Sequence, residues 1–157
     1  MAEGAEVRAA GAQDAATLSA LHQAAFAGME RGWSAEEFAS LIAAPGGFAL
    51  LAAPVPGAAA TAFLLGRAAG GEAELLSIGA APAARRMGLG AALLARFDAE
   101  ARARGAEAAF LEVAVDNPGA EALYRRAGWA EVGRRRAYAE RPGGARVDAL
   151  VLRRDYG

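Results

Sequence analysis

The seven residues Arg85-Arg86-Met87-Gly88-Leu89-Gly90-Ala91 constrain the fold most, because they join a short apolar, strand-like run to a long run with helical spacing. Glycines at 88 and 90 let the main chain come close to a ligand. A helix start exposes backbone N–H groups and carries about half a positive charge, so a pyrophosphate suits the place, with Arg85 or Arg86 as a phosphate partner. The same glycine pair also serves simply to ease a turn into a helix. By itself it leaves both readings open.

The flanking segments give the turn its setting. Upstream, Glu6 to Ala10 reads as a strand, and Asp14 can cap a helix with Leu18, Leu21, His22 and Phe26 on one face. Ser34 followed by Glu37 forms a capping box that opens a helix over Ala35 to Ala43, with Trp33 packing onto Phe38 or Leu41. Gly47 to Ala53 and Ala58 to Arg67 read as a hairpin turned by Pro54-Val55-Pro56-Gly57. Glu72 to Ile78 is a further strand, ended by Gly79-Ala80-Ala81-Pro82.

Downstream, Leu89, Leu93, Leu94 and Phe97 predict a helix from Gly88 to Arg104, stopping near Gly105. Ala108 to Val115 is a strand, and Asn117-Pro118 opens a helix through Arg126, ended by Gly128. Trp129 to Arg136 and Arg146 to Leu152 are the last strands, joined across Arg141-Pro142-Gly143-Gly144. At 157 residues, one domain spanning 1–157 is expected, with helices packed on a sheet.

Composition excludes several function classes. The formal charge of -1 gives no bulk attraction for nucleic acid or an anionic membrane, so direct nucleic-acid binding is not expected. Basic residues concentrate only locally, at Arg85-Arg86 and Arg134-Arg135-Arg136. All 17 are arginine, a bias that hints at a GC-rich bacterial genome. With no cysteine, disulfides, thiolate metal sites and a cysteine nucleophile are ruled out. No leader-like start or membrane-length apolar run is visible, so a cytoplasmic protein without a membrane partner is expected. Metal binding has no support in the sequence.

A dinucleotide-binding fold shares the order strand, GxG, helix and then an acidic residue, Glu112. Against it, the glycines lie well beyond Ile78, the third glycine position is Leu93, and few residues follow Glu112 to complete a doubly wound sheet.

Arg85-x-x-Gly88-x-Gly90 instead resembles the R/Q-x-x-G-x-G/A acetyl-CoA motif of the GCN5-related N-acetyltransferases, the GNAT family. Leu75-Leu76-Ser77-Ile78-Gly79-Ala80 resembles that family's fourth strand. Asn117-x-x-Ala120-x-x-Leu123-Tyr124 with Gly128-Trp129 resembles its N-x-x-A-x-x-L-Y-x-x-x-G-F segment. The resemblance covers nearly the whole chain. It implies an α/β (α+β) fold with one mixed, mostly antiparallel sheet of about seven strands, splayed between the fourth and fifth strands, and about four helices.

By the same resemblance, acetyl-CoA is the cosubstrate. The main chain of Ile78, Gly79 and Ala80 pairs with the pantetheine arm, Arg86, Met87, Gly88, Leu89, Gly90 and Ala91 hold the pyrophosphate beside Arg85, and Asn117 contacts the arm. Within the family the chain is similar to the ribosomal-protein-alanine N-acetyltransferases. That likeness rests on Gly32-Trp33-Ser34, Leu111-Glu112-Val113, and Arg135-Arg136-Ala137-Tyr138 with Asp148-Ala149. It departs at Gly32, where those proteins have proline, at Ala139, where they have a second tyrosine, and in the length from Phe26 to Trp33.

The resemblance implies an acceptor that is a protein or peptide N-terminus. A small amine, or a non-catalytic acetyl-CoA-binding module, stands beside it. A peptide α-amino group titrates near 7.7 to 8.0, so roughly a tenth to a fifth is neutral at pH 7 and a base has a modest task. Glu112 is the candidate base and Tyr124 the candidate acid for the departing thiolate, their bland alternatives being a solvent-facing strand residue and an aromatic packed under the cofactor. The oxyanion would meet a backbone N–H near Ile78. Trp33 and Tyr138 are candidate acceptor-site residues, Tyr138 and the arginine run otherwise belonging to a solvated edge. His22 is read as structural or near the acceptor entrance.

Overall fold

The computed structural model describes residues 4–157. Seven strands form one sheet in the order β1-β2-β3-β4-β5-β7-β6. They are β1 (Glu6–Ala10), β2 (Gly47–Ala53), β3 (Ala62–Ala69), β4 (Glu72–Ala80), β5 (Ala108–Ala114), β6 (Ala130–Glu140) and β7 (Arg146–Asp155). Four α-helices accompany them: α1 (Ala15–Ala25), α2 (Ala35–Ala43), α3 (Leu89–Ala103) and α4 (Pro118–Arg126). Every strand pairing is antiparallel except β4 with β5. The expected mixed sheet of seven strands with four helices is what the chain forms.

Helices on both faces explain why the central strands read as unbroken apolar runs. In β2, Phe48, Leu50 and Ala52 face the core shared with α3, while Ala49 and Leu51 face the core shared with α1 and α2. In β3, Leu64 and Phe63 divide the same way, and both are fully buried. Each such side chain contributes about 1.5–3 kcal/mol of apolar burial. On the α1 and α2 face, Phe38 meets Phe63 edge-on at 6.0 Å between ring centroids.

Local signals place the helices with few differences. Ser34 accepts from the Glu37 N–H at 3.1 Å while the Glu37 carboxylate accepts from the Ser34 N–H at 3.0 Å, completing the expected capping box. Trp33 packs on Phe38, 5.5 Å between centroids. Asp14 does stand at the α1 N-cap, but its carboxylate turns away from the helix and accepts from the Gly11 N–H and from Arg8. Gly88 lies outside α3 as its N-cap, and Arg104 is its C-cap.

The strand bounds differ more. β3 begins at Ala62 rather than Ala58. β4 runs through Gly79 and Ala80, because both still pair with β3, to Phe63 and Ala62. β6 and β7 are longer than their sequences suggest, and the β6 register with β7 breaks between Arg135 and Ala139.

One feature of the sheet positions the site. β4 and β5 pair over only three positions, Glu72 with Ala108, Ala73 with Ala109 and Glu74 with Phe110. Beyond them β4 carries a bulge. Leu65 faces Ser77 and Gly66 faces Leu75, which leaves Leu76 as the extra residue. A bulge bends its strand, so the Ser77–Ala80 half leaves β5 and its edge on that side has no strand partner.

Candidate active site

On the α3 and α4 side of this split lies a cleft of about 880 Å³, bordered by Ile78, Gly79 and Ala80, by the turn before α3, and by α4. That volume is within the range of pockets for drug-sized ligands. Gly88 has φ +78°, a left-handed conformation costly for any residue with a Cβ, and it supplies no side-chain cap. The first bond of α3 runs from the Ala92 N–H to the Gly88 carbonyl at 3.1 Å. The six main-chain N–H groups from Arg86 to Ala91 therefore donate to nothing among the described residues. With the partial charge of the helix end behind them, they form a cradle for a diphosphate.

Arg85, Arg86, Gly88, Leu89, Gly90 and Ala91 border this cleft, whereas Met87 points to solvent, 46% exposed, and does not line it. Arg85 is also engaged elsewhere: its guanidinium donates to the carbonyl of Ala25, the last residue of α1, at 2.8 Å. At Gly79 the approach of α1 leaves no room for a side chain, since a Cβ would sit 2.8 Å from that of Ala25.

A smaller cavity of about 120 Å³ lies on the α1 and α2 side, with Trp33, Glu30, Glu112 and Arg141 on its wall. Phe26, Met29, Ile78, Asn117, Ala120 and Tyr124 border both cavities, so the split between β4 and β5 is a passage through the sheet. Asn117 uses its side-chain oxygen to accept from the Ala120 N–H at 3.3 Å, capping α4 as its sequence suggests. Its amide N–H groups have no partner among the described residues.

Tyr124 and Glu112 meet this passage from opposite faces of the sheet. Tyr124 is buried beside Trp129, and burial pushes its phenol above the ordinary tyrosine value. Its hydroxyl makes no hydrogen bond among the described residues. Glu112 is flanked along β5 by Leu111 and Val113, which enter the α3-side core, so strand alternation turns Glu112 to the other face. Its Oε2 is shut off from solvent and lies 2.9 Å from Nε of Arg135 on β6. The guanidinium N–H does not point along that line, so the contact is an ion pair without a hydrogen bond.

Trp33 belongs to the smaller cavity, but Tyr138 borders neither cavity. It sits half-exposed in the β6 register break, its ring 5.3 Å from the Arg135 guanidinium carbon. Asp148 holds that break, accepting from the Ala137 N–H at 2.9 Å and from Arg134 at 3.3 Å. Two site residues escape the sequence reading. Arg141 pairs with both oxygens of Asp116, at 2.7 and 2.6 Å, and Glu30 approaches His22. No local pattern announces either contact: one joins two separate loops, and the other folds the segment after α1 back onto that helix. Among the described residues no three His, Cys, Asp or Glu side chains cluster as metal ligands, and no helix is long and apolar enough to cross a membrane.

An open strand edge, an uncapped helix start and a passage through the sheet define a fold with a split central sheet. The chain belongs to the acetyltransferase (GNAT) family, whose pattern it matches over residues 18–129. It is 41% identical over 93 residues to the N-alpha-acetyltransferase RimI of Mycobacterium tuberculosis, a match covering 59% of this chain and 55% of that relative. It is also similar to the crystal structure of the ribosomal-protein-S18-alanine N-acetyltransferase of Escherichia coli. That likeness has a TM-score of 0.83 and 29% identity, over 95% of this chain and 92% of the other. The Arabidopsis thaliana NAA60 complex with acetyl-CoA shares the fold at a TM-score of 0.81 and 15% identity, over 96% and 98% of the two chains.

Proposed function

We propose that this chain transfers the acetyl group of acetyl-CoA to the α-amino group of a protein or peptide N-terminus, by direct attack in a ternary complex. The observation that carries the reading is the passage through the sheet. A cradle of six free N–H groups opens at one end and a carboxylate stands at the other. The M. tuberculosis relative, named an N-alpha-acetyltransferase, and the E. coli one, named a ribosomal-protein-S18-alanine N-acetyltransferase, support the choice of acceptor.

Acetyl-CoA supplies the thioester carbonyl that the amine attacks. The turn Arg86–Ala91 holds its diphosphate, the open edge of β4 pairs with the pantetheine amides, and Asn117 offers its free amide N–H groups to the same arm. As the amine nitrogen bonds to the carbonyl carbon, Glu112 takes a proton from it, directly or through water, and the main chain near Ile78 faces the oxyanion. The carbon–sulfur bond then breaks, and Tyr124 gives its phenolic proton to the thiolate. Burial that raises the phenol also disfavours the thiolate, so the transfer stays matched. Trp33 forms one wall of the acceptor cavity.

Glu112→Gln tests this assignment. Turnover of an alanine-start peptide at pH 7 is expected to fall at least tenfold, with acetyl-CoA affinity within twofold of the unsubstituted protein. Unchanged turnover removes Glu112 from the mechanism.

A further inference from the structure

Among the described residues, four buried polar side-chain atoms lack a hydrogen bond; one, Oε2 of Glu112, belongs to a residue of the acceptor-cavity wall, and another, Nε2 of His22, lies behind the wall residues Phe26 and Trp33. Glu112 has a role in the proposed reaction. His22 has none. It is fully buried on α1 among Phe26, Trp33, Phe38 and Phe63, and its ring stacks on Trp33 with centroids 4.7 Å apart. Nδ1 accepts the Trp33 N–H at 3.2 Å, which leaves the ring hydrogen on Nε2. The nearest carboxylate is that of Glu30, whose Oε1 lies 3.4 Å from Nε2, but the N–H is off that line and no hydrogen bond forms. A buried donor left in this state is unfavourable until a partner at that place accepts from it.

Glu30 keeps 39% of its side chain open to solvent. It borders the acceptor cavity and makes no hydrogen bond and no ion pair with an arginine among the described residues. Arg141 also borders the cavity, but its guanidinium is taken by Asp116 and by the carbonyls of Met29 and Glu140. Across the cavity stand Glu112, already facing Arg135, and the phenol of Tyr124. Glu30 and Glu112 both border this small cavity of about 120 Å³, so a group entering it faces both carboxylates.

We propose that Glu30 is a second amine-binding carboxylate of the acceptor site, and that His22 is its positioning residue. The inference rests on the acetyltransferase reading and deepens it by assigning what receives the incoming cation. Most of an α-amine arrives protonated at pH 7. Glu30 draws the ammonium into the cavity opposite Glu112, and its remaining lone pairs close the gap to the His22 N–H. That ammonium proton passes to solvent before attack, and Glu112 takes the second proton as the carbon–nitrogen bond forms.

The test measures steady-state kinetics of an alanine-start hexapeptide with saturating acetyl-CoA, for the full chain and Glu30→Gln, at pH 7 and pH 9. The variant is expected to raise the acceptor KM about tenfold at pH 7 with kcat within threefold, the pattern of lost ground-state binding. At pH 9, where the peptide amine is neutral, the KM difference should shrink below threefold. Glu30→Asp should restore part of the affinity. His22→Phe, which keeps an aromatic ring but removes both the Nε2–H and the Nδ1 acceptor of the Trp33 N–H, should reproduce the KM increase and add little to Glu30→Gln. A KM within twofold at pH 7 in an active protein, or an increase equal at both pH values, overturns the role of Glu30 and leaves the acetyltransferase reading standing. If the unsubstituted protein acetylates neither the peptide nor spermidine, both fall together.

Discussion

Glu112 and Arg135 meet across the neighbouring strand β7, Oε2 of the one 2.9 Å from Nε of the other. The carboxylate oxygen is sealed from water and the arginine is more than half exposed, so the contact is a clamp that solvent can open from the arginine side. Arg135→Gln leaves that oxygen without a counter-charge. We expect kcat for peptide acetylation to fall about three- to tenfold while acetyl-CoA affinity stays within twofold. Titration calorimetry beside initial rates reads both, and an unchanged kcat would separate Arg135 from the base.

The Tyr124 hydroxyl has no hydrogen bond to lose among the described residues, so Tyr124→Phe is expected to shift unfolding by less than about 0.5 kcal/mol. An acid for the leaving group contributes about 10²–10⁴-fold. Turnover should drop by at least tenfold in a protein whose melting curve is almost unchanged. A variant that loses stability and activity together would mark Tyr124 as packing.

Arg85 ties the end of α1 to the larger cleft, because its guanidinium holds the Ala25 carbonyl while both residues border that cleft. Arg85→Ala should therefore raise the acceptor KM at least fivefold as the α1–α2 loop loses its anchor. A phosphate ligand would show itself differently, through an acetyl-CoA Kd that weakens and loses salt dependence. Measuring Kd at two salt concentrations separates the two roles.

Next to the cavity-wall residues Glu30 and Trp33, the Arg31 guanidinium, with the Ser34 N–H, holds the Glu37 carboxyl at about 2, below its ordinary 4.5. The folded state thus binds this proton less readily than the unfolded chain. The stabilisation is complete above pH 4.5 and is lost as pH falls toward 2. Denaturation midpoints of the protein and of Glu37→Gln should differ at pH 6 and converge near pH 2. A gap that persists at pH 2 would assign the effect to packing.

Much of this architecture is legible in the sequence where one short segment carries the whole physical reason. Ser34 with Glu37, Asn117 with Pro118, and Gly88 ahead of a leucine-spaced helix each fix an element end within a few residues. The end of β4 is not legible locally: Gly79-Ala80 reads as a breaker, and only pairing with Phe63 and Ala62 keeps it in the sheet. β6 is hidden for another reason. Most of its residues are exposed at the sheet edge, so it lacks alternating burial, and its break at Arg136 to Tyr138 depends on Asp148 of another strand. Within the site, Glu112 and Tyr124 stand out only through the resemblance of their surroundings. The Arg141–Asp116 contact joins loops 25 residues apart, and the Glu30–His22 contact depends on how the chain after α1 folds back on that helix.

The most direct test of the central claim is release of free coenzyme A from acetyl-CoA by the full chain, with alanine-start peptides beside polyamines, amino acids and aminoglycosides. Turnover with the peptides, together with a mass increase of one acetyl group at their N-termini, is the predicted result. Turnover with small amines alone would contradict the acceptor assignment, and no coenzyme A release with any amine would contradict the enzyme itself.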